Sequence, residues 1–257
     1  MYKNNKEIQN RLSKLWTEYA KVYPYLEYNH AYKVLLKSII KLSNIKDSGE
    51  KQKALDLGAG TGNVTKALLE KYPNLNIISM DNSAQMLSHL KDKLEKYSDR
   101  VIFELQDISN DKMWEVFDSQ FDLVISNLVL TYVYNPENKN GEETLMKIFK
   151  NIYSILKNGG EFIWSTPINN VNFIHIFISA IYRLDFIKVP NISPLKGIFY
   201  AKEILRYSKE IEKLGKEGIF SFFDTDKIIE IMKESGFENI HIEKSFEKQV
   251  NIVYAKK

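Results

Sequence analysis

The sequence predicts an α/β fold built on a doubly wound, mainly parallel sheet. From residue 53 onward, short apolar runs alternate with amphipathic stretches, which is the pattern of strands connected by helices. Such alternation implies parallel strands with helices on both faces of the sheet. Near the C-terminus, NIHIEKSF and QVNIVYAKK lie too close together for a crossover helix, so we expect a hairpin that adds one antiparallel strand.

The individual elements follow from their apolar patterns. Five runs are predicted as strands: KALDL (53–57), NIISM (76–80), VIFEL (101–105), FDLVIS (121–126) and EFIWST (161–166). Four stretches with apolar positions three and four residues apart are predicted as helices: 63–72, 83–97, 142–156 and 224–237. We expect Gly159 and Gly160 to end the helix 142–156 and reverse the chain into the fifth strand.

Two segments lie outside this alternation. Residues 1–52 are predicted to form a helical N-terminal arm, which includes the tyrosine-rich stretch WTEYAKVYP. Residues 167–223 separate the fifth strand from the last helix, where a plain doubly wound domain needs only a short link. They are rich in phenylalanine and tyrosine, Phe173, Phe177 and Phe186 among them, and are predicted to form a helical cap. The core domain then comprises residues 53–166 and 224–257.

Composition excludes several classes of function. With 257 residues, 44% of them hydrophobic, the chain can form one sizeable core. It has no cysteine, which excludes disulfides, thiolate metal sites and a cysteine nucleophile, and we expect no metal. The net charge is only +3 and the lysines of the arm are scattered among glutamates. This pattern predicts no DNA partner and disfavours RNA.

Membrane and export signals are weak. The first residues lack the apolar core of a signal peptide, and the most apolar stretch, FIHIFISAIYRL (173–184), is too short to span a bilayer. We therefore expect a cytoplasmic protein without a transmembrane segment. Binding of 173–184 to a membrane surface stays open, and the sequence makes no prediction of oligomeric state.

A glycine-rich turn carries the strongest chemical signal. In LDLGAGTGN (55–63), Gly58, Gly60 and Gly62 follow a strand and open a helix, so backbone amides at a helix N-terminus can approach a ligand. The dinucleotide-binding fingerprint has its third glycine where this chain has Asn63. Asp56 would also repel a pyrophosphate, whereas a cationic ligand would tolerate it. These differences disfavour a nicotinamide oxidoreductase.

Five ordered motifs resemble the class I methyltransferases that use S-adenosylmethionine, in particular the small-molecule type 11 group that includes quinone-biosynthesis enzymes. The motifs are LDLGAGTG, DNSAQML (81–87), LQDIS (105–109), FDLVISNLVLTYVYNPE (121–137) and ILKNGGEFIWSTP (155–167). The resemblance covers residues 50–167 and 224–257. It implies a Rossmann-like seven-stranded sheet in the order 3-2-1-4-5-7-6, with the last strand antiparallel, and S-adenosylmethionine as cofactor.

The resemblance also implies roles for the loop and for the second strand. The backbone of Gly58, Ala59, Gly60 and Gly62 would meet the methionine part of the cofactor, with Asp56 holding the loop and favouring the ammonium. The remaining cofactor contacts would come from the ends of the second, third and fourth strands: Asp81 (ribose hydroxyls), Asn82 (adenosine), Met86 (packing), Asp107 (adenine amino group), Ile108 (adenine ring), and Asn127 and Leu128 (near the sulfonium).

Ordinary structural roles are open for several of these residues. Asp81 and Asp107 could simply start turns, because aspartate is common there. Met86 could belong to the core, and Asn127 could cap a strand end.

The acceptor is less well defined than the cofactor. Relatives often have a histidine where this chain has Thr131, which puts a general base in this segment in doubt. His30, His175 and Tyr23 are the catalytic candidates, although a structural role is open for each histidine. The aromatic arm and cap favour a small, apolar or aromatic acceptor. A macromolecular acceptor, such as transfer RNA or protein, and a catalytically silent binding subunit are the alternatives.

Overall fold

A seven-stranded sheet forms the centre of the protein, in a computed structural model that describes residues 5–45, 50–118, 120–138, 140–185 and 189–257. The strands are β1 (Gln52–Leu57), β2 (Leu75–Asp81), β3 (Val101–Leu105), β4 (Phe121–Asn127), β5 (Leu156–Pro167), β6 (Glu238–Ser245) and β7 (Val250–Lys256). Their order in the sheet is β3-β2-β1-β4-β5-β7-β6. Strand β7 runs antiparallel to both β5 and β6, and the other neighbours pair in parallel. The predicted fold and strand order are therefore confirmed.

Helices connect the strands and extend beyond them. In the described residues they are α1 (Asn5–Ala20), α2 (His30–Leu42), α3 (Asn63–Lys71), α4 (Ala84–Leu94), α5 (Asp111–Trp114), α6 (Gly141–Ile155), α7 (Phe173–Tyr182), α8 (Pro194–Lys216) and α9 (Thr225–Glu234). Short 3-10 turns occupy 23–28, 95–97 and 130–132. Polar caps fix several helix starts: the Ser83 side chain accepts from the Met86 amide, and Asp224 accepts from the Lys227 amide.

The boundary between α6 and β5 differs from the prediction. Helix α6 ends at Ile155 and β5 begins at Leu156, so Gly159 and Gly160 lie inside the strand and do not end the helix. The β4–β5 register shifts here, because Phe121 pairs with Leu156 whereas Leu123 pairs with Glu161. The positive φ of Gly159 (+76°) accommodates this irregularity, which is the role that glycine often has in a bulged strand.

Both faces of the sheet are covered by helices, as a doubly wound fold requires. Leu55, Leu57 and Trp164 point to the side that carries α6 and α9. Ala54 and Ile163, one position along the same strands, point to the opposite side, which carries α2 and α3. This alternation is the two-residue period of a strand buried on both faces.

The N-terminal arm and the insertion pack against each other. Arg11 on α1 donates hydrogen bonds to Glu210 (2.7 Å) and Glu217 (2.6 Å), on and just after α8. The rings of Tyr25 and Tyr200 stack with their centroids 3.8 Å apart. Parts of both segments, including Phe186, lie outside the described residues. Within the described chain, none of the helices combines the length and apolar character needed to cross a membrane.

Candidate functional site

A cavity of about 710 Å³ lies at the carboxyl ends of β1, β2 and β4. This is where α/β sheets bind ligands, because the connections after β1 and β4 leave in opposite directions and open a crevice. Side chains from α1, α7 and α8 line the far side of the cavity. The cavity therefore has a polar end at the strand termini and a mainly apolar end beneath the arm and the cap, where the polar side chains, such as Ser13 and Ser208, are uncharged.

The glycine loop follows β1 and forms part of the polar end. Gly58 and Gly60 line the cavity with φ values of +72° and +55°, which L side chains rarely adopt. A Cβ atom at Gly58 would overlap the side chain of Val129, and one at Gly60 would lie 3.5 Å from the ring of Tyr23. The backbone conformation therefore favours glycine at both positions, and close packing against Val129 favours it at Gly58 as well.

Asp81 ties this loop to the end of β2. Its Oδ2 accepts a hydrogen bond from the Gly60 amide and its Oδ1 accepts one from the Ser83 amide, both at 2.9 Å. Burial raises the pKa of this carboxyl, and the backbone hydrogen bonds oppose that shift. Each carboxylate oxygen has a further lone-pair direction, so Asp81 can accept hydrogen bonds from a ligand while it holds the loop.

Asp56 lies beneath the loop and does not line the cavity. Its side chain is buried and accepts a hydrogen bond from the Thr65 hydroxyl at 2.6 Å. Burial raises the pKa of Asp56 to about 7. Ala59 and Gly62 are also absent from the cavity wall: the Ala59 amide bonds to the Met80 carbonyl, and Gly62 caps α3. Asp56, Ala59 and Gly62 therefore stabilise the loop without contacting the cavity.

The next two strand ends bring further predicted residues to the cavity. Asn82 and Met86 line it beside Asp81, and Asp107 and Ile108 line it after β3. Asp107 also has the expected turn role, because its Oδ1 accepts from both the amide and the hydroxyl of Ser109 at 2.8 Å. Its carboxylate is exposed, whereas Ile108 is buried.

Asn127 and Leu128 line the cavity after β4 and are held by Ser165 on β5. The Ser165 hydroxyl donates to Asn127 Oδ1 at 2.7 Å and accepts from the Leu128 amide at 2.9 Å. Leu128 has a φ of +58°, which is uncommon for a residue with a side chain. The hydrogen bonds of Ser165 oppose relaxation of this unusual backbone, and sequence reasoning did not identify Ser165.

Aromatic side chains that the sequence analysis did not name individually as site residues also line the cavity. Trp16, Tyr19 and Tyr132 line the cavity, and the rings of Trp16 and Tyr132 lie 5.5 Å apart. Phe246, from the β6–β7 connection, lines it as well. Tyr132 lies in the motif FDLVISNLVLTYVYNPE (121–137), which is the available sequence signal. No local pattern connects Phe246 with the glycine loop.

Of the three catalytic candidates, one lines the cavity and two do not. Tyr23 lines the cavity beside Gly60, and burial raises its pKa well above the ordinary value, so its hydroxyl is neutral at physiological pH. His30 and His175 are solvent-exposed and do not line the cavity, which argues against either as a general base. Thr131 is buried and also lies outside the cavity wall.

The charges around the cavity have one sign. Its lining, within the described chain, contains no lysine, arginine or histidine, and its acidic members are Asp81 and Asp107. The described residues also contain no cluster of three potential metal ligands. The polar end can therefore hold a cationic ligand, and the described lining of the other end offers no cationic side chain to an anion.

Comparison with known proteins identifies the family. The family described as "Methyltransferase domain" matches residues 48–236, which is well over half of the chain. The chain belongs to the S-adenosylmethionine-dependent methyltransferases. The predicted family, enzyme class and methyl donor are confirmed.

Individual relatives resemble this methyltransferase over only part of their sequences. Malonyl-[acyl-carrier protein] O-methyltransferase 2 of Ilyobacter polytropus is 32% identical over 122 residues, 48% of this chain and 42% of that protein. Demethylmenaquinone methyltransferase of Thermotoga maritima is 27% identical over 192 residues, 73% of this chain and 70% of that protein. The chain thus spans less than half the length of the first relative. The solved structure of PigF with SAH covers 87% of this chain and 54% of its own, with a TM-score of 0.52 and 19% identity, and supports the fold.

Proposed function

We propose that this protein transfers a methyl group from S-adenosylmethionine to a small, uncharged, apolar or aromatic acceptor. The observation that carries the proposal is one continuous cavity that joins the glycine loop and Asp81 to a mainly apolar chamber. The N-terminal arm (1–52) and the insertion (167–223) would form the walls of this chamber. The remaining segments, 53–166 and 224–257, would form the cofactor-binding core.

The residues at the polar end fit the cofactor. Gly58 and Gly60 bring backbone to the cavity wall, where a nucleoside with an amino acid tail can approach it. Asp81 has unused acceptor directions suited to two neighbouring hydroxyl groups. The described part of the lining has no cationic side chain, which suits a positively charged sulfonium and ammonium.

The other predicted residues would complete this site. Asp107 would accept from the adenine amino group and Ile108 would pack on the ring, with Asn82 and Met86 beside the adenosine. Asn127 and Leu128 would lie near the reacting methyl group. Asp56, Ala59 and Gly62 would act through the loop that they support, since they do not reach the cavity.

Catalysis would depend on positioning and on exclusion of water. When bound, S-adenosylmethionine supplies an activated methyl group for in-line displacement by the acceptor. The cavity lining has no lysine or histidine in its described part, and the raised pKa of Tyr23 makes that hydroxyl a poor base. The walls of Trp16, Tyr132 and neighbouring aromatic rings would orient the acceptor and keep water out.

The lining also favours an uncharged acceptor over a carboxylate. A malonyl group, named in the relative from Ilyobacter polytropus, carries an acid that needs a cationic partner when buried. None lines the apolar end within the described residues. A quinone, as in the name of the relative from Thermotoga maritima, needs no such partner. A chamber walled by three helices likewise favours a small molecule over transfer RNA or protein as the acceptor. A cytoplasmic location stays a prediction from sequence.

Two measurements test this proposal. Calorimetric titration with S-adenosylmethionine, S-adenosylhomocysteine and NAD should show binding of the first two alone. Methyl transfer from radiolabelled S-adenosylmethionine should then be measured with a panel of phenols, hydroquinones and matched carboxylic acids. Transfer only to the acids would contradict the assignment of acceptor class. Tight cofactor binding without transfer to any acceptor, including bulk transfer RNA and protein, would favour the silent binding subunit.

A further inference from the structure

Exposed apolar side chains are concentrated on the cap. Eight of the twelve large hydrophobic residues that are exposed in the described chain fall between residues 174 and 199. We call them the cap patch: Ile174, Ile178, Ile181, Tyr182, Leu184, Leu195, Ile198 and Phe199. A cluster of this kind marks an interaction surface, whereas single exposed apolar residues are common on any protein.

Helix α7 has two apolar faces with different surroundings. Phe173, Ile176 and Phe177 face inward and line the cavity. Ile178 and Ile181, by contrast, lie on the outer face and are 47% and 49% exposed. An ordinary surface helix presents polar residues on its outer face. The outer face of α7 therefore has the character of a surface that enters an apolar medium.

The segments next to the cap patch contain more lysines than acidic residues. Residues 30–45 and the described part of 173–202 contain five lysines and one arginine, but Asp185 as the only acid. Arg183 forms an ion pair with Glu247 of the β6–β7 connection at 2.6 Å, so the positive charge near the patch comes from the lysines. Asp185 is buried and accepts from the His30 amide, so it presents little charge to solvent. Lys196 and Lys202 are exposed on α8, next to the patch, and α2, which packs against α7, carries further exposed lysines.

We propose that the cap patch docks this protein on the surface of an anionic lipid bilayer. Helix α7 would lie in the interface with Ile178 and Ile181 in the acyl boundary, while Lys196 and Lys202 meet the headgroups. An apolar stripe flanked by lysines is the signature of helices that lie in a membrane interface. An acidic protein partner would pair with the lysines but would not require so many exposed aliphatic side chains. Docking is independent of the proposed methyl transfer, although it would bring the cavity close to acceptors dissolved in lipid.

Sedimentation with lipid vesicles tests this directly, without cofactor or acceptor. Vesicles of phosphatidylcholine mixed with phosphatidylglycerol should bind the full chain, and pure phosphatidylcholine vesicles should bind it more weakly. The variant I178S/I181S should reduce the partition coefficient by about tenfold or more, since two partly buried aliphatic groups are lost. V116S, which changes an aliphatic residue that is 74% exposed outside the patch, is the control and should bind as wild type.

A charge variant keeps the test informative if the serine variant folds poorly. K196Q/K202Q should weaken binding by about fivefold per lysine at low salt, and added salt should reduce this difference. K112Q/K150Q, which removes two exposed lysines elsewhere, should have little effect. Absence of vesicle binding, or equal binding by the patch and control variants, would overturn the proposal. So would a dimer in solution that I178S/I181S converts to monomer, because the patch would then be a protein interface.

Discussion

Replacing Asp81 is expected to weaken cofactor binding more than any other single change at the polar end. In D81A the ligand loses a charged acceptor, and the Gly60 and Ser83 amides lose theirs. Hydrogen bonds to a charged group contribute about 1.5–3 kcal/mol each, so loss of one corresponds to about a 10- to 150-fold rise in Kd. D81N should fall in the same range, because its amide group turns a donor toward one of those backbone N–H groups.

Calorimetric titration with S-adenosylhomocysteine measures this effect without turnover. D224N is the matched control, since Asp224 also accepts from a backbone amide at 2.9 Å, far along the chain, and asparagine caps helices equally well. Its affinity should equal that of wild type. Denaturant unfolding should accompany each titration to show that the loop variants are folded. Wild-type affinity in folded D81A and D81N would refute the role given to this carboxylate.

Three further predictions address the loop and the catalytic assignment. The folded-state pKa of Asp56, about 7, lies above its ordinary 3.8, so its contribution to stability is complete below pH 4 and is lost as pH rises through 7. In urea titrations, the free energy of unfolding of wild type minus that of D56N should therefore fall between these pH values, by at most about 1.4 kcal/mol per pH unit. A difference that does not change with pH would contradict this. G58A should lower the free energy of unfolding by about 1–2 kcal/mol because of its φ of +72°, and by a further amount because the new Cβ overlaps Val129. In thermal unfolding, the double variant G58A/V129A should recover only the loss that comes from the overlap. Y23F should retain kcat within about threefold, because loss of a general base costs about 100-fold or more, and such a loss would restore Tyr23 as a base.

Local patterns were sufficient for the elements and for the polar end of the site. Strand and helix periods are short-range properties, so the alternation from residue 53 predicted the strands to within a few residues, apart from β5. In a parallel sheet, successive carboxyl ends meet at one edge, which brings Gly58, Asp81 and Asn127 to one cavity without knowledge of packing. The early start of β5 was missed because glycines usually signal a stop, whereas here Gly159 lies in an irregular strand.

The sequence alone therefore determined the doubly wound sheet, the antiparallel last strand, the methyltransferase family and the residues at the strand ends. Only the tertiary structure decided which side chains complete the cavity. It brought Trp16 and Phe246 to the same cavity, left His30 and His175 in solvent, and buried Asp56 beneath the loop. The physical reason is that the apolar period of a helix or strand indicates which of its faces is buried, but not which other element covers that face. That choice depends on the packing of the arm on the cap, between residues some two hundred positions apart.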